Sequence, residues 1–170
     1  PQEAFLETLV TNKEKLAYCA GIIDGEGCIT IHSGPQNRNW TIRVTVDMQS
    51  RKIVDFLIGT FGGHYNRIEK DTARYAVYYW YMCGSKAYDM LKKLKPFLVE
   101  KAAQADQAIR FFVHQKNYGV RKLTDQEIKE RERYKIRLKE YKTAFLSPKA
   151  ALAETECENA QKGRSDSPNL

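Results

Sequence analysis

The chain is poor in the features that mark membrane, secreted and metal-cluster proteins. No stretch is long and apolar enough to form a membrane-spanning helix, and no signal-peptide pattern is visible. Cysteine is scarce: Cys19, Cys28, Cys83 and Cys157 are the only four in 170 residues. They have neither zinc-site spacing nor the density of a disulfide framework, so they read as reduced thiols of an intracellular protein. Histidine is scarcer still, and His32 has no second histidine nearby to share a metal. Acids are in deficit, 21 against 28 Lys and Arg, which gives a formal net charge of +7. That balance favours a polyanionic partner, nucleic acid before a membrane surface, with plain solubility as the competing explanation.

What is present has a clear order. The length suits one domain, or one compact domain with a tail. Thr11-Asn-Lys-Glu14 has the form of a capping box, which predicts a helix from about Lys13 to Asp24. Residues 1–12 read as an arm or a short extra helix. CITIH alternates and predicts a strand over Cys28–Ser33; SGPQNRN is loop-like. WTIRVTVDM alternates again, with Trp40, Ile42, Val44, Val46 and Met48 on one face and a polar set on the other. Lys52–Phe61 reads as a helix ended by Gly62-Gly63. HYNRIEK and RYAVYYWYMC read as two strands around a turn near Asp71-Thr72. Ser85 is expected to cap a helix that runs to Lys95 and stops at Pro96. A further helix over Glu100–Gln115, with Ala103, Ile109, Phe112 and Val113, breaks at Asn117-Tyr-Gly119. Thr124-Asp-Gln-Glu127 opens a charged helix, about Lys122–Lys142, striped by Ile128, Tyr134, Leu138, Tyr141 and Phe145. It either braces the core or lies on phosphates. Residues 147–170 read as a weakly ordered tail, leaving one domain over 1–146. Two hairpins with helices on one side make an α+β domain whose polar strand faces lie open.

The segment LAYCAGIIDGEG, residues 16–27, carries the chemistry. Ala17, Gly21 and, nearly, Gly25 recur at every fourth position, and Ala20 lies beside them. Such a face admits a second helix at close range. With no second copy of the motif in the chain, that helix comes most simply from another subunit about a two-fold axis. Spacing alone leaves open a second reading, in which the small residues only pack the helix on its own sheet. Glu26 falls at the helix end, where a carboxylate is unfavourable without a cation. Carboxylate, backbone carbonyl and water suit a hard ion such as Mg²⁺. Two helices meeting at an axis would converge two Glu26 carboxylates suited to phosphodiester hydrolysis. The competing reading is a solvated turn acid. Asp24 is expected to bond local backbone.

LAYCAGIIDGEG resembles the signature of the LAGLIDADG homing endonucleases: a small-residue helix, Asp-Gly-acid-Gly, then an immediate strand. IRVTVDMQSRKIVDFLIGTFGG resembles that family's second strand and following helix, and GSKAYDMLKKLKPFLVEKAAQA its next helix with Pro-Phe-Leu before a lysine. The likeness spans roughly Lys13 to Lys116. It implies the αββαββα fold with a four-stranded curved antiparallel sheet lying in the DNA major groove. It also implies a single-motif homodimer that binds a long, near-palindromic duplex and cuts both strands across the minor groove, leaving 3′ overhangs. Mg²⁺ or Mn²⁺ would be the cofactor, with Ca²⁺ binding without supporting cleavage. The resemblance places catalytic roles on Glu26, Gln49 and Lys101, and metal ligation on Glu26 and the Gly25 carbonyl. Ser50 competes with Gln49 for the polar position, and Arg51 with Lys52 for the basic one after it. The dimer interface would comprise Ala17, Ala20, Gly21, Asp24 and Gly25. Family members of this kind usually arise from mobile introns. Intron RNA is therefore a further partner to weigh, and the compartment is a bacterial or archaeal cytoplasm or an organelle. A splicing maturase and a non-cleaving DNA-binding regulator are the alternatives; no helix-turn-helix signal supports the latter.

The polar strand faces supply the residues a duplex would meet. Thr30 and His32 share the first strand's face, and Thr41, Arg43, Thr45 and Asp47 the second's. Arg67 and Glu69 are assigned to the third, and Tyr79 and Tyr81 to the fourth, since Trp80 and Met82 fit a core. Arg38 and Asn39, with Lys70 and Arg74, would flank the duplex from the hairpin loops.

Overall fold

A computed structural model describes residues 11–35, 39–69, 76–116 and 123–143. The expected N-terminal arm, the turn at Asp71-Thr72, the break at Asn117–Gly119, Phe145 and the tail lie outside the described residues. The described residues up to Leu138 belong to one compact unit, and the division of the chain falls after Leu138.

The elements are α1 (Asn12–Glu26), β1 (Gly27–His32), β2 (Thr41–Met48), α2 (Arg51–Phe61), β3 (His64–Ile68), β4 (Val77–Cys83), α3 (Gly84–Leu94), α4 (Ala102–Lys116) and α5 (Asp125–Thr143). The first seven run αββαββα, as expected. The strands form one antiparallel sheet in the order β1-β2-β4-β3. Ile29, Ile31, Ile42, Val44, Val46, Trp80 and Met82 are buried on one face. Helices α1 to α4 all pack against the strands. They contribute Cys19 and Ile23, Val54 and Leu57, Met90 and Leu94, and Phe111 and Phe112 to the same core. Burial of the Cys19 thiol pushes its pKa up to about 11, so it is an inert core group.

Local chemistry explains the boundaries. Thr11 Oγ1 accepts from the Glu14 backbone N–H at 3.2 Å while Glu14 accepts from Thr11 N at 2.6 Å, which closes the capping box at the start of α1. The second box is equally complete: Glu127 Oε2 accepts from Thr124 N at 2.8 Å and Thr124 Oγ1 from Glu127 N at 3.3 Å. Gly62 and Gly63 both have positive φ, 79° and 96°. A Cβ on Gly63 would sit 2.8 Å from the Trp80 indole nitrogen, which itself donates to Gly62 O at 3.0 Å. The glycine pair therefore both ends α2 and lets the buried Trp80 close under the turn.

Two local expectations change, and an open alternative for α5 is answered in part. Ser85 does not cap α3; Cys83 is the residue before the helix, and it makes no side-chain cap bond. The ladder between β2 and β4 runs through Cys83, opposite Arg43, so the strand ends there and the helix follows at once. In α4, Ala103 is exposed and Val113 is 48% exposed, while Ala105, Ala108, Phe111 and Phe112 form the inner stripe. Helix α5 braces the core, one of the two roles expected of it: Leu138 is buried, Phe111 packs on Tyr134 at 5.8 Å, and Gln107 donates to Tyr134 O at 3.3 Å.

The junction of α1 and β1 leaves no room for a side chain. A Cβ on Gly27 would lie 2.5 Å from Ile23 O and 2.8 Å from Ile23 Cα. Both are backbone and cannot yield. Gly27→Ala is therefore expected to cost about 1–3 kcal/mol of stability, read from chemical denaturation, by forcing the helix end away from the strand.

Candidate functional site

The site is built where α1 runs out. Its last turn contains no basic residue, so its free carbonyls and the Glu26 carboxylate concentrate negative charge. The compensating cation comes from far along the chain: Lys101 Nζ donates to the Asp24 backbone carbonyl. Asp24 returns the contact. Its Oδ2 accepts from Val99 N at 2.7 Å and its Oδ1 from Lys101 N at 2.9 Å. Lys101 O in turn accepts from Ala105 N at 2.9 Å, which makes Lys101 the residue that opens α4. A carboxylate at the start of α4 and an ammonium at the end of α1 each meet the favourable end of a helix dipole. The clamp joins positions more than seventy residues apart. The expectation that Asp24 bonds local backbone is corrected: it bonds backbone, but of the segment leading into α4.

Glu26 and Gly25 are both exposed beside this clamp. Gly27 pairs with Val46, so Gln49 lies just past the strand end at the same end of the sheet, and it too is exposed. Ser50 immediately precedes α2 and makes no cap bond. Arg51 is committed elsewhere. Its Nε donates to Asp55 Oδ1 at 2.8 Å and its guanidinium lies 4.7 Å from the Tyr65 ring centroid. Lys52 is exposed.

The outer face of α1 bears on the two readings of its small residues. Ala17, Gly21 and Gly25 are exposed, and a Cβ on Gly21 or Gly25 would meet nothing within 4 Å. Packing within the chain therefore does not call for glycine at either position. Ala20, in contrast, is fully buried in the domain's own core and is removed from the expected interface. A mid-helix glycine costs about 1 kcal/mol against alanine, so Gly21 on this open face is not explained by packing within the chain.

The sheet's other face is open and polar. Register aligns Thr30 with Arg43 and Cys83, His32 with Thr41, Cys28 with Thr45, Tyr81 and His64, and Asp47 with Tyr79 and Asn66. Eight of the expected residues thus share one surface: Thr30, His32, Thr41, Arg43, Thr45, Asp47, Tyr79 and Tyr81. Arg67 and Glu69 do not. Tyr65 pairs with the buried Trp80, which puts Tyr65 and therefore Arg67 on the helix side, and Arg67 pairs with Glu69 at 2.6 Å. The open-face residues of β3 are His64, Asn66 and Ile68. The signal that finds them is the antiparallel pairing of HYNRI with VYYWY, not the polarity of the segment, because a one-residue shift exchanges the faces. His64, Tyr81 and Tyr79 form a run of rings spaced 5.6 and 5.7 Å apart. Asn39 is exposed at the end of the first hairpin loop, with φ 55°. Arg38, Lys70 and Arg74 lie outside the described residues.

No group of three or more His, Cys, Asp or Glu side chains able to hold a metal occurs among the described residues. One exposed carboxylate and an adjacent backbone carbonyl fit a hard cation whose remaining positions are filled by water and phosphate oxygen. They do not make a closed structural metal site. No helix among the described residues is long and apolar enough to cross a membrane.

No protein-family model and no curated protein sequence matches the chain. Solved structures do. The homing endonuclease I-CvuI, in complex with its target and calcium, is 20% identical; the match covers 76% of this chain and 82% of that one, with a TM-score of 0.60. The archaeal intron-encoded homing endonuclease I-Vdi141I, complexed with DNA, is 16% identical, with 77% and 86% covered and a TM-score of 0.62. The LAGLIDADG meganuclease I-AabMI, bound to uncleaved DNA, is 18% identical with a TM-score of 0.53; 71% of this chain matches only 43% of that longer one. With its αββαββα order, its single antiparallel sheet and its helices on one face, the chain has the fold of the LAGLIDADG homing endonucleases.

Proposed function

We propose that this chain is a site-specific, divalent-metal-dependent DNA endonuclease that acts as a homodimer on a long, near-palindromic duplex. One observation carries the reading: Asp24 and Lys101 clamp each other, which sets an ammonium group at the end of α1 beside the exposed Glu26. Two copies of α1 meeting along Ala17, Gly21 and Gly25 would bring two such ends to one axis, with an open sheet on either side.

Each residue then has a distinct task. Glu26 and the Gly25 carbonyl would hold Mg²⁺ or Mn²⁺, which when bound stabilises charge on the scissile phosphate and lowers the pKa of water. Lys101 stabilises negative charge developing on phosphate oxygen from a position already fixed by Asp24. Gln49, exposed at the same end of the sheet, would orient a water. Asp24 is a positioning residue. The open faces of β1, β2, β3 and β4 read base edges, one half-site per subunit. Retention of Glu26 together with Lys101 favours cleavage over the maturase and regulator readings, which need neither.

The test is a selection for cleaved sites from a randomised duplex pool in Mg²⁺. The expected product is a family of two-fold related sequences with 3′ overhangs. Specific binding to duplex with no nick in any sequence would overturn the enzymatic reading, and enrichment of asymmetric sites would overturn the homodimer.

A further inference from the structure

We infer that Arg43 reads a guanine end-on, through its two terminal amino groups, and that Cys83 is the positioning residue that fixes this orientation. The inference rests on the proposed reading of the open face as a DNA surface, and goes beyond it by assigning a base and a mechanism of selectivity. Arg43 lies on β2, inside the sheet, between Thr30 on β1 and Cys83 on β4. Its Nε donates to Cys83 Sγ at 3.3 Å, and its guanidinium carbon sits 5.7 Å from the Tyr81 ring centroid. Thr30 Oγ1 donates to Arg43 O at 3.2 Å and pins the backbone on the other side.

Two features bear on what this arginine can bind. Arg51, Arg67 and Arg110 are each paired with a carboxylate, at 2.8, 2.6 and 2.6 Å. Among the described residues Arg43 makes no ion pair. It is oriented by a thiol, a weak acceptor, by the Tyr81 ring and by the Tyr79 hydroxyl, none of which carries a carboxylate's charge. The second feature is the edge left over. Occupation of Nε removes the side-on edge of the guanidinium and leaves the edge of two parallel N–H donors. Guanine O6 and N7 present two adjacent acceptors in the major groove. Adenine presents an acceptor beside a donor, and cytosine a donor. The geometry therefore selects guanine.

The test measures base preference by sequencing duplexes bound by the full chain from a randomised pool. It compares the unmodified protein with Arg43→Ala, Arg43→Lys, Cys83→Ala and Cys83→Ser. Arg43→Ala is expected to erase a roughly ten- to hundredfold guanine preference at a single position of each half-site. Lysine, a point donor, should restore it only partly. Cys83→Ala should weaken the same preference several-fold at that position alone, and Cys83→Ser, which keeps an acceptor, should recover it. Binding of the unmodified protein to duplex with 7-deazaguanine at that position needs no variant to fold, and a loss of about tenfold or more is expected. The inference is overturned if Arg43→Ala weakens binding equally on all sequences, the mark of a phosphate contact. It is also overturned if Cys83→Ala leaves the guanine preference intact. Absence of any sequence preference in the unmodified protein would instead overturn the reading of the sheet as a DNA surface, and this inference with it.

Discussion

Glu26→Gln is expected to leave the chain folded and bound to its cognate duplex while cleavage in Mg²⁺ falls by about a thousandfold or more. The substitution is nearly isosteric, and Glu26 is exposed, so no core contact is lost. The fold, the Asp24–Lys101 clamp and the open face of the sheet remain. What disappears is the one formal charge that the end of α1 offers a divalent cation. Metal-borne stabilisation of a phosphoryl transition state is worth several kcal/mol, and each 1.36 kcal/mol is tenfold in rate. Cleavage of a plasmid carrying the site, measured beside a gel-shift titration, separates the two effects. Undiminished cleavage would remove Glu26 from the metal site. Loss of binding together with loss of cleavage would show that the carboxylate acts in docking instead.

The second large effect is predicted for the outer face of α1. Gly21→Leu should raise the stability of the isolated subunit by about 0.5–1 kcal/mol, because leucine is the better helix former. No clash opposes it within the chain, since a Cβ at Gly21 meets nothing within 4 Å. Self-association should change in the opposite direction. In the proposed homodimer, two leucines brought to one axis would overpack a helix pair that meets backbone to backbone, at about 1–3 kcal/mol each. The dimer should therefore weaken roughly a hundredfold or more. Sedimentation together with thermal melting at low concentration reads both signs in one variant. An unchanged dimer would place the interface elsewhere, and a subunit destabilised by the leucine would mean that α1 is buried in the chain after all. The opposed signs matter, because a purely structural glycine gives one sign only.

Much of this was legible in the residues because it depends on short-range patterns. The boundaries of α1 and α5 follow from two reciprocal caps that need only four residues each. The outward face of β2 follows from strict alternation in TIRVTVDM, and Trp80 and Met82 mark the inner face of β4. The failures have separate causes, none of them local to the residue concerned. β3 is an edge strand whose residues are mostly exposed, so polarity could not tell its faces apart and Arg67 was placed on the wrong one. Ser85 has the right chemistry for a cap but lies inside a helix that begins where the β4 ladder stops. Ala20 has the small side chain of an interface residue, yet the rotation of α1 against the sheet turns it inward.

By itself the sequence determined the element order, the polar and apolar faces of the alternating strands, and which carboxylate ends the first helix. Those depend on periodicity, capping and chain order, which are local. Only the tertiary structure decided that Lys101 meets the end of α1, that Asp24 holds it there, and that Gly21 and Gly25 face open space. It alone joined Cys83 to Arg43 across neighbouring strands. Each of these is a contact, or the lack of one, between segments far apart in the chain. Strand register and helix rotation set such contacts, and both come from packing the whole core rather than from any single stretch of residues.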